Sequence, residues 1–142
     1  MVTVADILKS KESIIISVLP DISVYEAIKV MGEKNIGALL VMEDEKLKGI
    51  LSERDYARKV VLKERSSRTT LVKEIMTEKV ITVTKNDSIE YCMELMSGKK
   101  IRHLPVVENE KVEGIISIGD IVTAVIRSQQ ETIAHLKNYI SQ

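Results

Sequence analysis

Tryptophan and phenylalanine are absent from the 142-residue chain, and its aromatic content is four tyrosines. Without large aromatics the core must be aliphatic, and the stacking platforms that hold single-stranded nucleic acid are missing. Charge gives nucleic acid no better purchase. Lys and Arg total 21 against 21 Asp and Glu, and residues 1–71 and 72–142 carry +1 and −1, so neither half offers a basic face. Only one cysteine is present, which excludes an internal disulfide and fits a reducing compartment. His103 and His135 are the only histidines, too few for a zinc site that takes three or four protein ligands. No apolar run is long enough to span a bilayer, and the opening Met-Val-Thr-Val-Ala-Asp lacks the pattern of a secretory signal. The expected location is the cytoplasm, with neither membrane nor nucleic acid as partner. Catalysis finds no support either. Cys92 sits among Ile89, Met93 and Met96 on an apolar helical stripe, where a thiol is inert, and nothing in the sequence places a base beside it.

What the chain does contain is a duplication. Gly-Ile-Leu-Ser-Glu-Arg-Asp at 49–55 recurs as Gly-Ile-Ile-Ser-Ile-Gly-Asp at 114–120, with Gly49 and Gly114 lying 65 positions apart. The same offset aligns residues 17–61 with 82–126 without a gap, and about a third of the pairs are identical, among them Met31/Met96, Ile36/Ile101 and Val41/Val106. Self-similarity of this kind marks one supersecondary unit used twice, the copies burying apolar faces against each other. A chain of this length holds one domain, or two half-domains sharing a core.

Each copy reads as strand, helix, strand, strand, helix. The β-branched runs at 14–18 and 80–83 are strand-like. Val24, Ala27, Ile28 and Met31, and then Ile89, Cys92, Met93 and Met96, keep helical spacing behind Ser23 and Ser88 as N-caps. Residues 38–42 and 47–51 predict one hairpin, and 103–107 and 112–116 a second. The last helix of each copy begins at Ser52-x-x-Asp55 or Ser117-x-x-Asp120. Residues 63–70 read as an exposed linker. The tail from 128 to 142 has Ile133, Leu136 and Ile140 at helical spacing, a narrow stripe that packs on a partner chain or on its own sheet.

The doubled order, the string Ile-Arg-His-Leu-Pro-Val at 101–106 and the Gly-Ile-Ile-Ser-x-x-Asp helix entrance resemble the CBS-domain pair, or Bateman module. Ser-Glu-Arg-Asp-Tyr-Ala-Arg at 52–58 is similar to small stand-alone bacterial and archaeal members. The resemblance covers nearly the whole chain. It implies an α/β (α+β) fold of tandem CBS repeats packed with pseudo-two-fold symmetry: residues 1–64 as repeat 1, 65–71 as linker, 72–127 as repeat 2 and 128–142 as a C-terminal helix. It also implies a non-enzymatic regulatory module, a homodimer that binds AMP, ADP or ATP, or in some members NAD or S-adenosylmethionine, and acts on an unidentified regulated protein. Family sites are crossed between the copies. One would join Ser117, Ile118, Gly119 and Asp120 with Ile16, Ser17, Gly37 and Ala38. The other would join Ser52, Glu53, Arg54 and Asp55 with Ile81, Arg102 and His103.

The residue chemistry is compatible with those roles. A carboxylate such as Asp120 accepts hydrogen bonds from both ribose hydroxyls, and Ser117 with the helix N–H groups can meet phosphate. Gly37-Ala38 leaves room for a base, whereas Arg102-His103 adds positive charge, so the two sites are unlike. Leu40 stands where the family often carries a proline. Ser-x-x-Asp is also an ordinary capping arrangement, and capping can coexist with binding. Gly49 and Gly114 either relieve crowding in a strand or let a ligand approach.

Overall fold

The computed structural model describes residues 1–11 and 14–141. In chain order the elements are α1 (Val4–Ser10), β1 (Ser17–Val18), α2 (Val24–Lys34), β2 (Ala38–Glu43), β3 (Lys46–Ser52), α3 (Glu53–Tyr56, prolonged by a π-helical turn Ala57–Val61), α4 (Val72–Ile75), α5 (Ile89–Lys99), β4 (His103–Glu108), β5 (Lys111–Ser117) and α6 (Ile118–Ser141). Two compact units result. One comprises Ile15–Ile81 with Asn109–Val112, the other Met1–Ile14, Thr82–Glu108 and Glu113–Gln142.

The first unit is built on a three-stranded sheet in the order β1-β2-β3, with β1 parallel and β3 antiparallel to β2. Ser23 and Ser88 cap α2 and α5 as the sequence predicts: the Ser23 hydroxyl accepts from Glu26 N–H at 3.2 Å and the Ser88 hydroxyl from Tyr91 N–H at 3.1 Å. Val24, Ala27 and Met31 of α2 pack with Leu39, Val41, Leu51, Val60, Val72 and Ile75 into one aliphatic core. The second unit buries the equivalent positions, Ile89, Cys92, Met96, Leu104, Val106 and Ile116. Duplicated sequence has produced duplicated burial. The backbone repeats as well. Asn35 and Lys100 end α2 and α5 in the left-handed region, and both hairpins turn through two positive-φ residues, Asp44-Glu45 and Asn109-Glu110, which suits the twist of the flanking strands.

Both first strands are shorter than the sequence predicts. In the first copy only Ser17 and Val18 pair, opposite Leu40 and Val41, while Ile14 and Ile15 are exposed. In the second copy Val83 alone bridges Val106, donating to the Pro105 carbonyl at 3.0 Å and accepting from Val107 N–H at 2.9 Å. The chemistry of residue 105 accounts for the difference. Pairing residue 82 with 105 needs a backbone N–H that proline lacks; Leu40, fully buried at the equivalent place, supplies one.

The segment 63–70 is largely exposed, and it is strapped to α2 by backbone hydrogen bonds. The carbonyls of Thr70 and Ser67 accept from Val24 and Tyr25 N–H at 2.8 and 2.9 Å, satisfying donors that the first turn of α2 leaves open. Thr70 is buried. Arg65 pairs with Glu74 at 2.6 Å, and Arg68 lies 4.0 Å over the Tyr25 ring, so both arginines are committed inside the unit.

A second duplication surfaces here. Val72 N–H donates to the Ile22 carbonyl and Lys73 N–H to that of Pro20; in the other unit Val4 N–H donates to Asp87 and Ala5 N–H to Lys85. Thus α4, which opens the second repeat, belongs to the unit built on the first sheet, and α1, which opens the first repeat, belongs to the other unit. Residues 118–127 and the tail form one unbroken 24-residue helix, α6; Gln142, the last residue expected in it, lies outside the described residues. From Gln129 to Ser141 every residue of α6 is exposed, Ile133, Leu136, Tyr139 and Ile140 included.

Candidate functional site

Both Ser-x-x-Asp motifs stand where a β-strand ends and a helix begins, and both form capping boxes. In the second copy Ser117 N–H donates to Asp120 Oδ2 at 2.8 Å and Asp120 N–H to Ser117 Oγ at 3.2 Å. In the first, Ser52 N–H donates to Asp55 Oδ2 at 3.0 Å and Asp55 N–H to Ser52 Oγ at 3.2 Å. The strand-turn-helix junction is therefore rigid, and each carboxylate is fixed beside the electropositive end of its helix.

The neighbours of each motif also recur. Glu53 N–H donates to the Gly37 carbonyl at 3.1 Å, and Ile118 N–H to the Arg102 carbonyl at 2.9 Å. Gly37 and Glu53 line a cavity of about 480 Å³ with Ile28, Met31, Ile36 and Tyr56. Each repeat thus joins its own helix entrance to the start of its own middle strand. Of the other candidate residues, Ile16, Ile81 and His103 are half-buried, Ser17, Arg54 and Arg102 exposed, and Ala38 buried. Gly119 leaves the first turn of α6 bare, and a Cβ there would meet only Ser117 Oγ at 3.6 Å.

The carboxylates differ in their cation. Asp55 is held by Lys59, four residues along the same helix, at 3.0 Å, and Lys59 also donates to the Ile75 carbonyl at 2.9 Å. Asp120 is held by Lys11 at 2.8 Å, and the same ammonium donates to the Ile115 carbonyl at 2.9 Å. Burial by itself would raise the Asp120 carboxyl, but the Lys11 hydrogen bond, the Ser117 N–H and the Lys11 charge together hold it below the ordinary carboxylate range. It is an anion at neutral pH.

Lys11 and Asp120 open onto a groove of about 480 Å³ between α1 and α6, where Ser10, Thr123, Arg127 and Glu131 also line the wall. Sequence reading missed Lys11. Its partner lies 109 residues away, and the segment carrying it is outside the ungapped repeat. A faint signal exists: Val4 and Ile7 match Val72 and Ile75, but at an offset of 68 rather than 65.

Gly49 resolves toward crowding. A Cβ on it would lie 2.7 Å from Met76 Sδ and 2.8 Å from the Thr77 carbonyl, because Ile50 and Thr77 exchange hydrogen bonds directly beside it. Cys92 is fully buried, and burial, with the Asp87 charge, pushes its thiol up to about 11. Among the described residues no three His, Cys, Asp or Glu side chains group as a metal site, and no helix is long and apolar enough to cross a membrane.

Two strand-helix repeats, each opening a helix with a capped Ser-x-x-Asp, define a regulatory module of the Bateman type. The chain belongs to the CBS-domain family, whose pattern it matches twice, over residues 4–62 and 72–127. It is 41% identical to the mitochondrial CBS domain-containing protein CBSX3 of Arabidopsis thaliana over 97% of this chain and 71% of that one. A protein with CBS domains from Burkholderia ambifaria is 53% identical and superposes with a TM-score of 0.87, covering 90% of this chain and 96% of that one. The CBS domain pair of protein MJ0100, solved in complex with 5'-methylthioadenosine and S-adenosyl-L-methionine, is 28% identical with a TM-score of 0.77 over 90% of this chain and 98% of that one.

Proposed function

We propose that the protein is a non-catalytic sensor of adenosine-containing ligands, with AMP, ADP or ATP as its regulatory ligand. The observation that carries the reading is Asp120: an ionised, half-buried carboxylate, fixed by Ser117 at the start of α6 and lining a groove of about 480 Å³, within the size range of small-ligand sites. The adenosine ligands of the MJ0100 pair support the ligand class; S-adenosylmethionine or NAD is the alternative occupant. The proposed binding residues are Ser117, Ile118, Gly119 and Asp120 with Ile16, Ser17, Gly37 and Ala38 for one ligand, and Ser52, Glu53, Arg54 and Asp55 with Ile81, Arg102 and His103 for another. A ligand changes the state of such a module only through unequal affinity for two conformations, and an unidentified regulated protein would read the change.

Assembly is the second part of the reading. Val122, Ile126, Ile133, Leu136 and Ile140 are exposed along α6, and with Gln129 they keep the three-and-four spacing of a two-helix seam. A homodimer pairing α6 with its copy would bury that stripe. If the stripe were the protein's whole purpose, the sites would be empty and assembly indifferent to nucleotide. Native mass spectrometry of gently purified protein tests both parts: a dimer carrying a mass increment of an adenine nucleotide is the expected result, and a dimer that stays bare in excess AMP, ADP and ATP would leave only the assembly role.

A further inference from the structure

We infer that Lys11 is the phosphate-reading residue of the Asp120 site, a counter-ion that the ligand displaces and then re-engages. This rests on the adenosine-ligand reading and adds the selection among such ligands. Three observations meet here. Lys11 reaches Asp120 from a different segment of the chain, whereas the equivalent Asp55 is neutralised from its own helix by Lys59. The Lys11 ammonium and the Asp120 carboxylate both line the groove between α1 and α6, and Arg127 brings a second cation to the same wall. Lastly, Lys11 and Ser117 N–H share one carboxylate oxygen, Oδ2.

A ribose diol donating to Asp120 competes with the ammonium for that carboxylate. Lys11 then loses a charged partner inside a half-buried groove, a loss that a neutral ligand cannot offset. A phosphate can. The lysine stem carries its charge on a flexible four-carbon arm, so the ammonium can turn from Asp120 to a phosphate oxygen while α1 stays docked through its own backbone bonds to Lys85 and Asp87. The acids facing the groove do not reverse this preference: Asp6 is engaged by Thr3 N–H and the Thr3 hydroxyl at 2.9 and 3.2 Å, and Glu131 is exposed, one turn beyond Arg127. The pair of cations also disfavours a ligand that carries positive charge, such as a sulfonium. The geometry therefore selects phosphorylated adenosine ligands over adenosine and over S-adenosylmethionine.

Calorimetric titration of AMP and of adenosine into the wild type, Lys11→Met, Lys11→Arg and Arg127→Gln provides the test, with thermal melts confirming that each variant is folded. The wild type should prefer AMP by about tenfold or more, the difference one charge-assisted contact makes. Lys11→Met should lose most of that preference by weakening AMP while leaving adenosine unchanged or tighter, Lys11→Arg should keep it, and Arg127→Gln should reduce it in part. An AMP-to-adenosine ratio in Lys11→Met equal to that of the wild type, with binding intact, would overturn the role of Lys11 alone. Absence of binding by either ligand to the wild type would overturn the ligand reading and this inference with it.

Discussion

Lys11 and Asp120, 109 residues apart, meet at 2.8 Å and bind the N-terminal helix α1 to the start of α6. The corresponding carboxylate, Asp55, takes its cation from one turn along its own helix. One carboxylate is thus paired locally and the other by a distant segment.

That contact has a defined pH signature. The folded-state carboxyl of Asp120 lies below its ordinary value, so its contribution to stability is full above the unfolded value, about pH 4, and is lost as pH falls through the folded one. Urea melts should show a higher midpoint at pH 7 than at pH 3, and Lys11→Met should narrow the gap. A gap of unchanged size in that variant would contradict the assignment.

Asp120→Ala removes both the cap and the proposed ligand contact. Loss of the capping box should destabilise the fold by about 0.5–2 kcal/mol, while nucleotide affinity should drop by roughly ten- to a hundredfold, the worth of about 1.5–3 kcal/mol for hydrogen bonds to a charged acceptor. Asp55→Ala should cost similar stability. Comparing chemical denaturation with ligand titration separates the two effects.

Gly49→Ala should be among the more damaging single-methyl additions in the chain. Its Cβ would collide with the Met76 side chain and the Thr77 backbone, and overpacking of this kind costs about 1–3 kcal/mol. Gly119→Ala, whose Cβ would make only an ordinary contact with Ser117 Oγ at 3.6 Å, should leave the melting temperature nearly unchanged. Equal effects of the two would refute the packing account of Gly49.

Cys92 should be silent toward thiol reagents at pH 8 in the native protein and react fully once the chain is unfolded in guanidinium. Its burial and raised thiol value both keep thiolate from forming. Rapid native labelling would mean that α5 opens readily.

Replacing Ile133 and Leu136 together with glutamate tests the role of the exposed half of α6. Sedimentation velocity should show a smaller species than the wild type, since charges in a helical seam oppose pairing. The fold should survive, because neither side chain is buried in its own unit.

Much of this architecture was legible in the residues. The 65-residue offset gave the repeat, and equivalent burial followed from it: Met31 and Met96, Leu39 and Leu104, Val41 and Val106. Helix starts were readable because Ser23, Ser88, Ser52 and Ser117 bind backbone within their own turn. Features settled at long range were not. The single-residue β contact at Val83 depends on a missing N–H at Pro105, the strap at 63–70 is fixed by carbonyls no side-chain pattern announces, and Lys11 finds Asp120 only once α1 joins the second repeat. For the site, sequence named the carboxylates but not the lysines that neutralise them.

Whether Asp120 holds an adenine nucleotide is decided by isothermal titration of AMP into the wild-type protein and into Asp120→Ala at neutral pH. Saturable binding in the micromolar range is expected for the wild type and a ten- to hundredfold loss in the variant, on the scale of about 1.5–3 kcal/mol. Equal affinity in the two proteins, or no heat from the wild type with AMP, ADP or ATP, would contradict that role for Asp120.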